Sequence, residues 1–476
     1  MKNFRKETYM EELGDIFAYV DQNFDEMIEE VKEFCSFRST EGDKEGLLKT
    51  SKFLEEKLSQ AEISYRKIIE GGAPLFFAEK KGKIEEAKGR NASHPCLLFY
   101  NHYDVVEEGD RTLWTGEPFK PEIRGNILYG RGVSDNKGPL LSRIQAVKSI
   151  LDVRGALPVD VKFAFDGEEE TSSPSLNKFS IREPELFQDL TRADLCLWEN
   201  GRRDKEGRPW ARFGVRGSIS FDLSVKTSKK DIHARMGTII PSASWRLIWA
   251  LASLKGEDEK IAIEGFYDDV RPVTRADEVI LEAFPYDEES LKQQMGLSEL
   301  LRGTRGLDLK KQLYMEPSIS VCGLEAGQMY RGVRGIVPCE ASARVSFYLV
   351  ADQSPERVEE LLRSHLKKHG FDDIQVKARG RNAPVRTFAD PELIELFRRS
   401  ASQAYKEPLV IEPTQLGGGP AIYFHRAWPQ LPIVGVGPGN TGGNHHSPDE
   451  NMKLEDYRAS IKHMIALMYA MRERSC

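Results

Sequence analysis

At 476 residues the chain is longer than a single hydrophobic core usually supports, so at least two domains are expected. Its 68 basic and 75 acidic side chains are interleaved to a formal net charge of -7, leaving no basic stripe for nucleic acid or an anionic membrane and favouring small-molecule chemistry. Met1 to Glu30 is crossed by charges with no apolar run, so neither an export signal nor a membrane span is expected. Cys35, Cys96, Cys196, Cys322, Cys339 and Cys476 form no CxxC pair, which fits reduced thiols in the cytoplasm and argues against a thiolate-held metal.

Charged amphipathic helices come first, over about Tyr9 to Phe34 and Leu47 to Gln60, followed by alternating strands and helices, an α/β pattern. The apolar run Cys96 to Tyr100 reads as a buried strand stopping at Asn101-His102-Tyr103-Asp104. Val159 to Phe165 reads as another, stopping at Asp166-Gly167-Glu168-Glu169-Glu170. Between them Leu140, Leu141, Ile144, Val147, Ile150 and Leu151 recur at helical spacing, which places Gly130 to Gly138, with Asp135, in the loop entering that helix. Ala193 to Trp198 is a further strand, ending at Glu199.

From about Gly217 the pattern changes to strand Ser218–Val225, helix Ser242–Leu254, strand Ala341–Val350, helix Pro355–His369 and strand Asp373–Ala378, an inserted α+β unit. Near Pro384 to Asp390 the chain returns to the first domain, with helix Pro391–Tyr405, the glycine loop Gly417 to Pro420, strand Leu431–Val436 and a closing helix from Leu454. The expected division is 1–216 with 384–476 as the catalytic metal-binding domain, and 217–383 as a lid.

Ligands of open α/β sheets bind beyond the carboxyl ends of the strands, so acidic and imidazole side chains at those ends should converge. The segments in question are His102-Tyr103-Asp104, Asp135, Glu168-Glu169-Glu170, Glu199 and His445-His446-Ser447-Pro448. Imidazole and carboxylate without thiolate suit zinc or a neighbouring divalent ion, and a ligand set with one central carboxylate can hold two metals. Of His445 and His446, only one is expected to point at the metal, since successive side chains of an extended loop face opposite ways. Gly417 to Pro420 lacks the lysine and Ser/Thr of a phosphate-binding loop and reads as a close backbone approach to substrate.

These motifs, with Trp114, Pro118-Phe119, Leu128 to Gly138 and Asp231-Ile232-His233, resemble in order and spacing the M20 family of dinuclear zinc peptidases and deacylases. The resemblance implies a zinc-peptidase-like α/β catalytic domain with a ferredoxin-like lid and dimerisation domain. By the same resemblance His102 and Glu199 would serve one metal, Glu170 and His446 the other, and Asp135 would bridge two divalent ions, zinc foremost with manganese or cobalt as substitutes. Asp104 would orient His102, and Glu169 would be the general base, with Ser172 where the family carries glycine; a shift of one residue along Glu168-Glu169-Glu170 stays open. His233 would reach the active site of a partner subunit in a homodimer and stabilise the oxyanion.

Gly256 to Pro338 resembles the longer lid of the cytosolic dipeptidase branch, so dipeptides or short peptides are the expected substrates. N-acyl amino acids are the alternative within the same chemistry, and an inactive metal-stabilised binding protein is the alternative outside it. Two departures bear on this choice. Tyr348 stands where that branch carries an arginine for the substrate carboxylate, so either Arg331, Arg334 or Arg344 replaces it or the substrate lacks a free carboxylate, and Glu199 stands where many aminopeptidase-like members carry aspartate.

Overall fold

The computed structural model describes residues 2–83, 94–327, 335–388 and 390–474. The chain divides into two units, one formed by the residues up to Gly214 with Thr387–Glu412 and those from Tyr423 onward, the other by Val215–Arg386 with Pro413–Ile422.

In the first unit a mixed sheet runs in the order Ser64–Ile68, Leu75–Lys80, Asp160–Asp166, Cys96–His102, Leu195–Trp198, Ile433–Gly435, Pro209–Val215. The four central strands are mutually parallel, with Cys96–His102 between Asp160–Asp166 and Leu195–Trp198. Their near-continuous apolar runs suit a sheet covered on both faces, and Leu97, Phe99, Val161, Phe163 and Leu197 are fully buried. The long helices Lys137–Arg154 and Leu454–Arg474 pack against one another. The expected first helix is two, Lys2–Gln22 and Phe24–Ser36, broken at Asn23, whose side-chain amide donates to Tyr19 O at 2.8 Å. A short polar side chain competing for a main-chain carbonyl favours such a break. The outer strands Ser64–Ile68, Leu75–Lys80 and Pro209–Val215 are additions to the elements expected from periodicity.

The second unit is a four-stranded antiparallel sheet ordered Ser318–Ala326, Glu340–Leu349, Gly217–Lys226, Gln375–Asn382, with a β-α-β-β-α-β connectivity completed by helices Ala243–Ser253 and Pro355–Lys368. One sheet face, including Ile219, Phe221, Val345 and Phe347, is buried with Leu247 and Leu362 of the two helices, while the other face is polar. Strict in–out alternation over Gly217–Lys226 and Glu340–Leu349 is why these two strands were readable. Pro413–Ile422 packs here rather than with the first unit, because Arg216 N donates to Gln415 O at 3.0 Å and to Gly417 O at 3.2 Å. A Cβ on Gly418 would stand 3.2 Å from Ser218 Oγ, so this loop runs close to its own chain. No helix among the described residues is long and apolar enough to cross a membrane.

The parallel strand ends are tied by Arg143, fully buried on the inward face of Lys137–Arg154. Its guanidinium donates to Tyr100 O (2.7 Å), Asn101 Oδ1 (2.6 Å), Leu197 O (2.9 Å), Glu199 O (2.8 Å) and Val436 O (3.2 Å). One cation thereby adds a second partner to the Tyr100 and Glu199 carbonyls, which also accept from Glu199 N and Asn101 Nδ2, and gathers the ends of three strands. Arg143→Met is expected to cost roughly 3–5 kcal/mol of stability, because it removes five buried charge-assisted hydrogen bonds at once. Urea unfolding checks this, and a loss below about 1 kcal/mol would show the clamp to be dispensable.

Candidate metal centre

His102 is the last residue of its strand and is buried. Its Nδ1 lies 3.1 Å from the carbonyl oxygen of Asp104 and 3.4 Å from Asp104 Oδ1. A carbonyl oxygen only accepts, so Nδ1 carries a proton and Nε2 is the nitrogen turned to the cluster, 3.2 Å from Asp135 Oδ1. The Asp104 carboxylate also receives Glu169 N (3.1 Å) and Glu170 N (3.0 Å), so it orients the acidic turn as well as the ring. Glu168 is turned away, its Oε2 accepting from Ser175 N at 3.3 Å at the start of helix Pro174–Arg182. Ser172 adopts the left-handed conformation, with φ of +73°.

Asp135 sits on the loop entering Lys137–Arg154, and that loop is pinned by a residue that sequence reasoning passed over. Glu450 is completely buried; its Oε1 accepts from Ser134 N and Asp135 N (both 2.9 Å), and its Oε2 from Gly132 N (3.0 Å) and Arg131 Nη1 (2.7 Å). Asn200 adds a hydrogen bond from Nδ2 to Ser134 O at 2.7 Å. A lone glutamate beyond His-His-Ser-Pro has no ligand spacing to mark it. Arg143 did leave a signal, a charge at a helical position shared with Leu140 and Val147.

Glu199 follows Leu195–Trp198 with φ of +29°, a conformation that side chains rarely adopt and that the Arg143 and Asn101 bonds to its carbonyl hold in place. Its Oε1 is buried with no hydrogen-bond partner among the described residues. His446 Nε2 lies 3.1 Å from Asp135 Oδ2 and 3.2 Å from Glu170 Oε1. His445 is not turned fully away from the cluster. Asn444 and His446 have φ of +53° and +58°, so the loop turns rather than extends, and His445 Nδ1 also comes within 3.9 Å of Asp135 Oδ2.

His102, Asp135 and Glu170 thus form one group, and His102, Glu169 and Glu199 a second, each with ligand atoms within 4.8 Å of one another. His233 belongs to the second unit, where its exposed ring accepts from Arg235 N through Nδ1 at 3.2 Å. Tyr348 is half-exposed on the polar sheet face of the same unit. Arg344 pairs there with Asp222 (Nε to Oδ1, 2.8 Å), as does Arg379 (Nε to Oδ2, 2.8 Å). Arg331 and Arg334 lie outside the described residues.

The electrostatics of the cluster are those of acids crowded together in a largely dry site. Burial, reinforced by Asp135 and Glu170 and opposed by His102, pushes the Glu199 carboxyl up to about 7. Burial and then Glu199 raise Glu169 well above the carboxylate range, and burial raises Glu170. Hydrogen bonds to Asp135 and Glu170 lift His446 to about 10. Burial opposes ionisation of Asp135, but His102 and His446 hold it well below the usual range. A divalent ion bound here would pull the raised Glu169, Glu170, Glu199 and His446 back down and would keep Asp135 ionised. The all-oxygen-and-nitrogen donor set and the orphaned Glu199 oxygen fit such an ion.

The profile of Peptidase family M20/M25/M40 matches residues 98–470. The Beta-Ala-His dipeptidase of Rattus norvegicus is 26% identical over 387 residues, 76% of this chain and 76% of its own. The Cys-Gly metallodipeptidase of Saccharomyces cerevisiae is 26% identical over 324 residues, 66% of each chain. Among solved structures, an M20 family metallo-carboxypeptidase from Sulfolobus solfataricus is 30% identical and superposes with a TM-score of 0.84, covering 94% of this chain and 99% of that one.

Without metal, Glu199 and His446 keep their protons to higher pH in the folded chain than in the unfolded one, a larger effect than the opposing depression of buried His463. Glu199 titrates near 7 rather than 4.5, and His446 near 10 rather than 6.5. Stability contributed by a raised group is complete below its unfolded value and is lost as pH climbs through its folded one. Chelator-treated protein should therefore unfold at lower urea at about pH 8 than at about pH 5, and zinc should abolish the difference. A midpoint that rises with pH would contradict the cluster's electrostatics.

Proposed function

Because the chain belongs to Peptidase family M20/M25/M40, we propose that it hydrolyses the peptide bond of dipeptides and short peptides with two divalent metal ions, zinc foremost, held by His102, Asp135, Glu170, Glu199 and His446. The family makes it a metallohydrolase; the substrate and the role of each residue are the reading advanced here. One observation carries it. The two oxygens of Asp135 are approached by different histidines, Oδ1 by His102 and Oδ2 by His446, as a bridging carboxylate requires.

When bound, the two ions would polarise the scissile carbonyl and bring the pKa of water down to about 7. Asp135 would be shared between the two ions, with His102 and Glu199 holding one and Glu170 and His446 the other. Glu169, whose neighbour Glu168 is occupied by Ser175 N, takes the proton from water and returns it to the leaving amine. Asp104 keeps the proton of His102 on Nδ1 and fixes the main chain of Glu169 and Glu170. The relatives' substrates favour a small peptide with a free carboxylate, since a Beta-Ala-His dipeptidase, a Cys-Gly metallodipeptidase and a metallo-carboxypeptidase all act next to one.

The active unit is a homodimer formed through the second unit, with His233 donating to the developing oxyanion of the partner subunit's site. Two exposures support this. The edge strand Ser318–Ala326 leaves Val321 and Leu324 bare, and helix Ala243–Ser253 presents Trp245 and Trp249 stacked outward. With Nδ1 of His233 accepting from Arg235 N, its Nε2 bears the proton, as a donor must.

Elemental analysis should find about two divalent ions per chain, and Glu169→Gln should lower kcat by about 10²–10⁴-fold on whichever of dipeptides, longer peptides or N-acyl amino acids the wild type turns over. A chain that retains no metal and turns over none of them would overturn the reading; turnover of N-acyl amino acids alone would replace the substrate class.

The dimer has its own test, because a hybrid of Glu169→Gln and His233→Ala chains contains one intact site. Mixing the two weak variants should restore activity, whereas a mass near the 54.0 kDa of one chain, or a mixture no better than its parts, would refute the shared site.

A further inference from the structure

His445 has no part in the chemistry above, yet its ring is held on several sides. Nε2 lies 2.8 Å from Ser134 Oγ, Nδ1 lies 3.9 Å from Asp135 Oδ2, and the ring rests over Gly443, where a Cβ would come within 3.2 Å of Nε2. Ser134 is completely buried. Its main-chain N already donates to Glu450 and its carbonyl already accepts from Asn200, so its hydroxyl turns to His445. With Nδ1 facing a carboxylate, the ring proton sits on Nδ1 and Nε2 accepts from the hydroxyl.

We infer that His445 is a positioning residue, a latch that joins the loop carrying Asp135 to the loop carrying His446. The inference rests on the reading of those two residues as metal ligands. Two tethers then link the loops. Glu450 gathers the main chain of Gly132, Ser134 and Asp135 from below, and His445 closes on Ser134 beside Asp135. The latch acts on the His446 side, where the loop is exposed, both Asn444 and His446 sit in the left-handed region, and the loop's own hydrogen bonds fix its main chain from Gly442 to Asp449 but not its position against Ser134. A partner that orients a ligand without touching the metal typically changes metal affinity by about 10–100-fold.

The experiment is zinc affinity, measured against a chromophoric chelator, for the wild type, His445→Phe, His445→Gln, Ser134→Ala and the double variant His445→Phe with Ser134→Ala. His445→Phe keeps a ring over Gly443 and loses the acceptor, so the more weakly held ion should bind about 10–100-fold less tightly. His445→Gln, whose amide oxygen can accept from the Ser134 hydroxyl, should recover most of that loss. Ser134→Ala should weaken binding to a like degree, and the double variant should be no worse than either single one, because both remove the same contact.

Unchanged affinity in His445→Phe, failure of glutamine to rescue, or losses that multiply in the double variant would each overturn the latch while leaving the metal site standing. A wild type that binds no zinc would overturn the site and the latch with it. Circular dichroism of the metal-free proteins identifies a variant that fails to fold; should His445→Phe do so, the pair Ser134→Ala and His445→Gln decides the question.

Discussion

Asp104, Asp135, Glu169, Glu170 and Glu199 bring five carboxyl groups into one largely buried cluster, faced among the described residues by the imidazoles of His102 and His446 and, at 3.9 Å, of His445. Charges of one sign repel strongly where water is scarce, so such an arrangement persists only if protons or a cation neutralise it. Much else in the first unit serves that constraint. The donors must be held in place by groups other than themselves, and those groups are buried, saturated with hydrogen bonds and set one layer back.

Two ions do most of this holding. Arg143 gathers the carbonyls at the ends of three parallel strands, which fixes where Glu199 and the strand bearing His102 stop. Glu450 gathers main-chain N–H groups and Arg131, which fixes Asp135. A cation bonded to carbonyls and an anion bonded to amides are complementary answers to one problem: the irregular backbone that a site requires has no strand or helix to satisfy its polar groups.

The second unit obeys a simpler rule. Its alternating strands bury one face under two helices and leave the other polar, and its edge strand and outward tryptophans are surfaces that a lone domain would ordinarily cover or charge.

What could be read from the sequence was the set of donors. His102, Asp104, Glu169, Glu170 and Glu199 fall just where apolar runs end, and an apolar run interrupted by ligand-type residues is a local pattern that survives without knowledge of the fold. Asp135 and His446 were legible through their loop motifs, and the alternating strands of the second unit through their period of two. Tertiary structure alone decided the rest, because it depends on residues far apart in the chain. Glu450 acts on Gly132, Ser134 and Asp135 more than three hundred positions earlier. Pro413–Ile422 joins the second unit through hydrogen bonds to Arg216. His445 faces the cluster only because two left-handed residues turn its loop, and a backbone angle set by distant packing leaves no mark on the order of side chains.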